Sequence, residues 1–360
     1  MHLTDLVLIV ACAAFFYGIL PLAGMLARRR QWKIFRQHFD DLRLYPFLEY
    51  RNFQNPPGSV YRFTGGFESV TDTRILWIRS KTLTIPISLD NASIYLFPQS
   101  AGEPPQRIRW DHISMLTQGA KVFVGGQLQE QKGQRIFAAT EEQPLIIIFY
   151  EGNDRELTPQ VIQSGRYKTE YWNTITPYAV VCGAFTQLII ALFFIRRPAF
   201  RLTSITAFIA MWAPLIPFIP PGILSTILYR WMWRRSRIFR SYRDMIRLPL
   251  KYTLNNRLPN GEPYCMIRSK TCPDSVPLFI PIISTRNVPE WYIVGVDSGG
   301  PYPAEPSDCS APYGALPGNP ELMSKRYDWW ALWLEVAAWI LFAAGIIVNI
   351  AFIWLVLRLL

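Results

Sequence analysis

The chain has 360 residues and a formal net charge of +11, and half of its residues are apolar while only 18% are charged. Ordinary soluble domains carry about 25% charged residues, so the deficit indicates a membrane protein. Most of the positive charge lies beside apolar runs instead of on a separate basic domain, which argues against nucleic-acid binding. We therefore expect no nucleic-acid partner.

Four runs with few charged residues are long enough to cross a hydrocarbon core of about 30 Å as helices rising about 1.5 Å per residue. Positive charge follows the first run instead of preceding it, so we interpret that run as a retained helix and not as a signal peptide. Pro214, Pro217, Pro220 and Pro221 predict a kink in the third run. The predicted transmembrane helices cover residues 1–27, 173–195, 202–229 and 329–358.

Residues 47–172 are predicted to form a β-domain. Short segments rich in β-branched and aromatic residues alternate there with Gly, Pro and Asn, a pattern typical of a small OB-like barrel. Gly133 is predicted to form a hairpin turn, and Gly125–Gly126 a bulge or bend. The candidate strands are Val60–Phe63, Ile75–Arg79, Thr84–Ser88, Ile94–Phe97, Lys121–Leu128, Gln134–Ala138 and Leu145–Tyr150. A second β-domain is predicted at 251–328, with strands at Leu278–Ile283 and Trp291–Val296.

Two similar basic segments follow the first and third runs, at residues 28–46 and 230–250, and both are predicted to be juxtamembrane helices. "RQWKIFRQHFDDLRL" and "RRSRIFRSYRDMIRL" share seven of fifteen aligned positions, Arg43 and Arg247 among them. This repeat indicates an internal duplication. The predicted fold is therefore a membrane α+β protein with four transmembrane helices in two tandem helix–β-domain–helix units, each unit carrying a small OB-like barrel.

The basic segments also predict orientation and lipid contact. Because Lys and Arg cluster on the cytoplasmic side of membranes, we expect both β-domains in the cytoplasm and both termini outside, in a bacterial inner membrane. In the first segment an apolar stripe, Trp32, Phe35, Phe39 and Leu42, either lies in the membrane interface or packs on the following domain. Trp32 and Trp233 are predicted interface anchors. The predicted contacts with anionic lipid headgroups are Arg28, Arg29, Arg30, Arg36, Arg234, Arg235 and Arg240.

The sequence contains no motif for catalysis, for a cofactor or for a metal ion, so we expect a protein that is not an enzyme and has no cofactor. His112, beside Asp111, is expected to be structural or exposed. Glu335 is the one acid within the apolar runs themselves, and it either serves a function within the membrane or extends to the interface. These runs are Leu6–Leu26, Thr174–Ile195, Leu202–Tyr229 and Trp329–Leu357. Gln187 and Asn349 are the clearest uncharged polar residues in these runs.

One part of the chain resembles a known family. Residues 119–125 read Gly-Ala-Lys-Val-Phe-Val-Gly, then Gly133, Phe137 and "PLIII" from Pro144 precede the second helix. This pattern resembles the "beside-a-membrane" domain of the GIDE family, over about residues 115–195. The resemblance implies a β-domain between two membrane helices. Eukaryotic members add a zinc-binding RING that has no counterpart in this sequence, so ubiquitin ligation is not implied.

These observations favour a membrane scaffold or accessory subunit that presents its β-domains to a membrane or cytoplasmic protein partner. The alternative is a small transporter or channel-like subunit that uses Glu335 and the broken third helix. The substitution Glu335→Gln distinguishes them, because it should abolish transport but leave a scaffold functional.

Overall fold

The computed structural model describes residues 3–50, 58–71, 73–80, 83–98, 105–117, 119–131, 133–166, 171–218, 222–280 and 288–359. It divides into two compact units. The helical unit comprises Met1–Trp32, Gly165–Arg240 and Tyr327–Leu360, and the β unit comprises Lys33–Ser164 and Ser241–Arg326. The two segments predicted to be separate β-domains fall within one compact unit, and the predicted arrangement of two tandem units is not confirmed.

Helices dominate the first unit. Within the described part of the chain, three helices are long and apolar enough to cross a membrane, at Thr4–Leu42, Thr176–Ile195 and Pro320–Phe352. The first contains a π-helical segment, Ala14–Ile19, between its two α-helical parts. The α-helices of the chain are α1 (Leu3–Ala13), α2 (Leu20–Leu42), α3 (Asp154–Gln163), α4 (Thr176–Ile195), α5 (Arg201–Met211), α6 (Ile223–Thr253) and α7 (Pro320–Leu359).

The third apolar run is broken and does not form the single kinked helix that the sequence predicted. Helix α5 ends at Met211, a 3-10 helix covers Ala213–Phe218, and α6 begins at Ile223. Proline cannot donate the backbone hydrogen bond of a helix interior, which accounts for the interruption at Pro214. Pro220 and Pro221 lie outside the described residues.

Helix α4 shows how the helical unit packs. Its buried residues are mostly small or polar and recur every three or four positions, as in Ala179, Gly183 and Ala191. Large apolar side chains such as Phe185 and Ile189 are exposed on the rest of its surface. Small residues allow close helix contact, and exposed apolar chains suit a lipid environment. A Cβ on Gly183 would lie only 2.5 Å from the ring of Tyr17, so the contact requires glycine.

All seven strands predicted for the first β segment are present, with bounds shifted by up to seven residues, and β5 is an additional strand. The strands are β1 (Val60–Val70), β2 (Ile75–Arg79), β3 (Thr84–Ser88), β4 (Ser93–Leu96), β5 (Gln106–Ile108), β6 (Lys121–Gln131), β7 (Gln134–Ala138) and β8 (Ile146–Tyr150). They form one sheet in the order β1-β2-β3-β7-β6-β8-β4-β5, and β1 also pairs with β6.

The extra pairing closes five strands into a barrel. The closed path runs β1-β2-β3-β7-β6 and returns to β1, with a parallel contact between β3 and β7 and antiparallel contacts elsewhere. An OB barrel likewise has five strands. Buried apolar side chains fill the interior, including Phe63, Leu76, Ile87, Val124 and Phe137. The barrel predicted for the first β segment is therefore confirmed.

Glycines permit close approaches in this barrel. Gly133 has a φ of +74° in the hairpin turn, as the sequence predicted. Gly125 and Gly126 do not form a bulge, because their pairing with β1 is continuous. Instead β6 changes neighbours there, from β8 to β7. A Cβ on Gly125 would lie 2.6 Å from Leu42, so this glycine is explained by packing.

The second β segment differs from the prediction of another barrel. Among its described residues it contains a three-stranded antiparallel sheet, β11-β10-β9, formed by β9 (Tyr264–Ser269), β10 (Trp291–Val296) and β11 (Gly314–Leu316). The predicted strand at Trp291–Val296 is present. In the described part of the predicted strand Leu278–Ile283, only an isolated bridge between Leu278 and Ala315 is found.

A buried ion pair joins the two segments of the β unit. Arg62 on β1 pairs with Asp308, and both side chains are almost completely buried. Arg62 Nε also donates to the Tyr45 carbonyl at 2.7 Å. The two residues are 246 positions apart and belong to different segments. Because a buried charge is stable only when it is paired, each segment supplies the partner that lets the other bury its charged side chain.

The first basic segment packs on the eight-stranded sheet, against β4 and β6. Phe35 lies against Tyr95, with ring centroids 4.2 Å apart, and Phe39 lies 5.3 Å from the ring of Phe123. Phe35, Phe39 and Leu42 are at least 95% buried. Of the two interpretations of this apolar stripe, the structure selects packing on the domain over insertion into the membrane interface.

Candidate functional site

Glu335 lies at the centre of a group of arginines in the helical unit. Helix α7 carries Glu335, α2 carries Arg29, and α6 carries Arg237 and Arg240 one turn apart. The nitrogen–oxygen distances to the Glu335 carboxylate are 3.6 Å for Arg29, 3.1 Å for Arg237 and 2.6 Å for Arg240. Only 15% of the Glu335 side chain is exposed. We call these four residues the Glu335 cluster.

The ring of Trp233 packs against two arginines of the cluster. Its ring lies 4.2 Å from the guanidinium carbon of Arg237 and 5.7 Å from that of Arg29, within the range of cation–π attraction. Ser236 Oγ, one turn along α6, donates to the Ala331 carbonyl of α7 at 2.9 Å. The small side chains of Ser236 and Ala331 let the two helices approach closely, which brings Glu335 within reach of the arginines.

The Glu335 cluster carries more positive charge than negative. Three guanidinium groups face one carboxylate, which leaves a formal charge of +2. Arg166, which is also buried, lies close enough to interact electrostatically with Arg237. Such an arrangement fixes the carboxylate in ion pairs and attracts a second anion, such as a lipid phosphate.

The structure separates the predicted lipid contacts into three groups. Only Arg29 and Arg240 join the Glu335 cluster. Arg28 donates to Thr174 at 3.0 Å, and Arg36 donates to the Ser164 carbonyl at 2.6 Å, so both serve contacts within the protein. The third group of predicted lipid contacts is exposed and consists of Arg30, Arg234 and Arg235. The guanidinium carbon of Arg235 lies 5.6 Å from the centre of the Trp231 ring.

The two predicted interface anchors lie inside the protein. Trp233 is 1% exposed and Trp32 is 7% exposed, so neither ring has the surface that an interfacial tryptophan presents to lipid. The Trp32 ring lies against Gly165, where no Cβ would fit. Both tryptophans are therefore reassigned to packing. Arg237, which the predicted set omitted, could have been found from its spacing of four residues from Trp233 and three from Arg240.

Gln187 and Asn349 complete the hydrogen bonding of irregular helix segments. Gln187 Nε2 donates to the Ile9 carbonyl, just before the π-helical segment, at 2.9 Å. Asn349 accepts from the Gly222 amide at 2.8 Å and donates to the Ile216 carbonyl across the helix break. Backbone groups released by irregular helices need such partners in a membrane, because water cannot supply them.

A small cavity lies beside the helix break within the helical unit. Its volume is about 180 Å³, and its walls are mainly aromatic and aliphatic. The polar groups on its wall include Tyr17, Thr226 and Arg230. This cavity is the feature that the transporter alternative would use.

His112 is an exposed surface residue, as predicted. Its Nδ1 lies 2.8 Å from the Asp111 carboxylate, and 59% of its side chain is exposed. The pKa of Asp111 is lowered, mainly by the hydrogen bond with His112. A pair this open to solvent lacks the enclosed surroundings of a catalytic site.

Together the fold and the cluster define a class: a protein with three long apolar helices, consistent with membrane association, and a barrel-containing β unit. A comparison with protein-family models gave no match. A search of curated proteins likewise gave no significant match. The resemblance to the GIDE family therefore stays a prediction.

Proposed function

We propose that the protein is a membrane scaffold or accessory subunit that presents its β unit to a protein partner in the cytoplasm of a bacterial cell. The observation that carries this proposal is the Glu335 cluster. A proton- or ion-carrying acid has to exchange its partner during transport, whereas Glu335 is held by three arginines at 2.6–3.6 Å. An acid fixed in this way ties α2, α6 and α7 together.

Two buried polar residues of the helical unit, Asn349 on α7 and Gln187 on α4, support the same proposal. Asn349 is fully buried and uses its side-chain amide on the two backbone groups at the break. Gln187 is also fully buried and donates to the backbone of α1. Transport sites in broken helices need exposed backbone groups to coordinate a substrate. Here the bonds of these two residues maintain the fold.

The surplus charge of the Glu335 cluster and the exposed Arg30, Arg234 and Arg235 favour anionic lipid around the helical unit. A partner protein would dock on the β unit, where Met115 and Leu254 expose 80% and 84% of their surface.

The test is photo-crosslinking in the source cells. A photoreactive amino acid at Met115 or Leu254 should give a discrete protein adduct, which mass spectrometry then identifies. The matched control is the same amino acid at Ile189 on α4, which is 65% exposed and should crosslink to lipid. The scaffold proposal fails if native nanodiscs contain only this chain and lipid, and if neither β-unit position yields a protein adduct.

The transporter alternative rests on the cavity of about 180 Å³ beside the helix break. It predicts that Pro214→Ala, on the cavity wall, alters substrate flux in proteoliposomes while the fold is retained. It also predicts that Glu335→Gln abolishes flux without loss of stability. A stable Glu335→Gln protein with altered flux would favour this alternative over the scaffold.

A further inference from the structure

Arg43 is a buried cation whose charge the described residues do not balance. It directly follows helix α2, and its side chain is 1% exposed. The guanidinium Nη2 donates to the Ser310 carbonyl. Within the described part of the chain, Nε and Nη1 have no hydrogen-bond partner. A buried guanidinium is destabilising unless it is paired and hydrogen-bonded.

The nearest acid does not satisfy Arg43. Asp308 pairs with Arg62, and it also accepts from the amide and the hydroxyl of Ser310 at 2.9 and 2.8 Å. Two guanidinium groups therefore share one carboxylate, which leaves a formal charge of +1 at this place. The rings of Phe39 and Tyr252 each lie 5.9 Å from the Arg43 guanidinium carbon, at the edge of useful cation–π distance.

A cavity of about 220 Å³ adjoins Arg43, entirely within the β unit. Most of its wall is apolar, with Ile162, Met245, Leu248 and Phe279 among the residues that contribute. Its other charged side chains are already paired, Arg155 with Glu305 and Asp308 with Arg62. The cavity thus has one uncompensated cation in an apolar enclosure, the usual composition of a small-molecule site.

We propose that this cavity binds a small organic carboxylate with an apolar body, such as a medium-chain fatty acid. The carboxylate pairs with the guanidinium of Arg43, which lines the cavity, and the apolar body packs against Ile162, Met245 and Leu248. Binding supplies the missing negative charge and replaces water in an apolar space. The site is independent of the proposed scaffold function and of the Glu335 cluster.

The test is calorimetric titration of the full chain in detergent with octanoate, octanol and inorganic phosphate. Octanoate should bind saturably and about ten-fold or more tightly than octanol, since the charge-assisted hydrogen bonds are lost with the alcohol. Phosphate should bind weakly, because it lacks an apolar body. Equal binding of octanoate and octanol, or phosphate binding as tight as octanoate, would overturn the proposal.

Two variants assign the binding to Arg43. Arg43→Met should reduce octanoate affinity to that of octanol, while Arg247→Met should leave it unchanged. Arg247 is the matched control, because it occupies the equivalent place in the sequence repeat and is exposed. The Arg43→Met chain should fold, since an apolar residue of similar size often replaces a buried charge without loss of stability.

A third variant keeps the charge and fills the space. Ala311→Leu adds side-chain volume at the cavity wall and should abolish octanoate binding in a chain that retains Arg43. This variant decides the question if Arg43→Met does not fold. Undiminished octanoate binding in Ala311→Leu, or octanoate affinity retained in Arg43→Met, would place the ligand elsewhere and reject this site.

Discussion

The three guanidinium groups around Glu335 determine what the loss of its charge costs. Each of them is partly buried, and Trp233 lies under two of them. Without the carboxylate, three like charges would repel one another at close range. At the residue scale, the most sensitive position of the helical unit is therefore the acid and not any single arginine.

Glu335→Gln is expected to destabilise the protein by about 2–3 kcal/mol, somewhat below the value for a fully buried pair because the cluster is partly exposed. Denaturation of the purified protein in detergent, followed by tryptophan fluorescence, measures this loss. Glu321→Gln, an exposed acid on the same helix, is the control and should cost less than about 1 kcal/mol.

The double substitution Glu335→Gln with Arg240→Gln gives a second check. Removing an arginine together with the acid relieves part of the repulsion, so the two effects should be less than additive. Additive losses would show that Arg240 and Glu335 do not interact, and would contradict the ion pair.

At the element scale, strand β1 depends on a close backbone contact at a single glycine. Gly65 on β1 faces β2 so closely that a Cβ would lie 2.6 Å from the Arg79 carbonyl oxygen and 2.7 Å from Ile78. The neighbouring Gly66 has no atom nearer than 3.7 Å to such a Cβ. The Gly65–Gly66 pair thus contains one glycine that packing requires and one that it tolerates.

Gly65→Ala is expected to destabilise the β unit by about 1–3 kcal/mol, because the added methyl group meets backbone that cannot move aside. Gly66→Ala is the matched control and should change the free energy of unfolding by less than about 1 kcal/mol. Urea denaturation of the two variants in detergent compares them directly. Equal effects at both positions would argue against the close β1–β2 contact.

Asn349→Leu is expected to leave the Gly222 amide and the Ile216 carbonyl without their side-chain partner. The cost should be about 1–2 kcal/mol, since hydrogen bonds in membrane proteins contribute modestly. Steric trapping or SDS unfolding can measure it. Thr186→Val is the control, because the exposed Thr186 hydroxyl bonds only within its own helix, at 2.8 Å, and its loss should have little effect. A loss for Asn349→Leu no larger than for Thr186→Val would show that Asn349 does not hold the break.

At the scale of the whole molecule, the chain passes between its two units four times, at residues 32–33, 164–165, 240–241 and 326–327. Three of these passages lie inside helices α2, α6 and α7. Each unit therefore contains residues from both halves of the sequence. The similarity of the two basic segments therefore does not correspond to two separate compact units.

Splitting the chain between Arg197 and Pro198, in the link after α4, tests this interleaving. Each half expressed alone should aggregate or be degraded, because it lacks part of both units and one partner of the Arg62–Asp308 pair. Co-expressed halves should copurify in equal amounts and give the circular dichroism spectrum of the intact chain. Two halves that are each folded and monomeric would instead support tandem, independent units.

Sequence alone determined the apolar helices, apart from the third, and seven of the eight strands of the large sheet, because hydrophobic length and alternation are local properties. It also identified Glu335, Gln187 and Asn349 as polar residues inside the predicted spanning runs. The tertiary structure decided which partners they have. It brought Arg29, Arg237 and Arg240 to Glu335, buried Trp32 and Trp233, and placed Arg43 beside a cavity while its repeat equivalent Arg247 stays exposed. The reason is physical: a basic residue beside an apolar run has the same local pattern whether it faces lipid, an acid or the protein interior, and only long-range packing distinguishes the three.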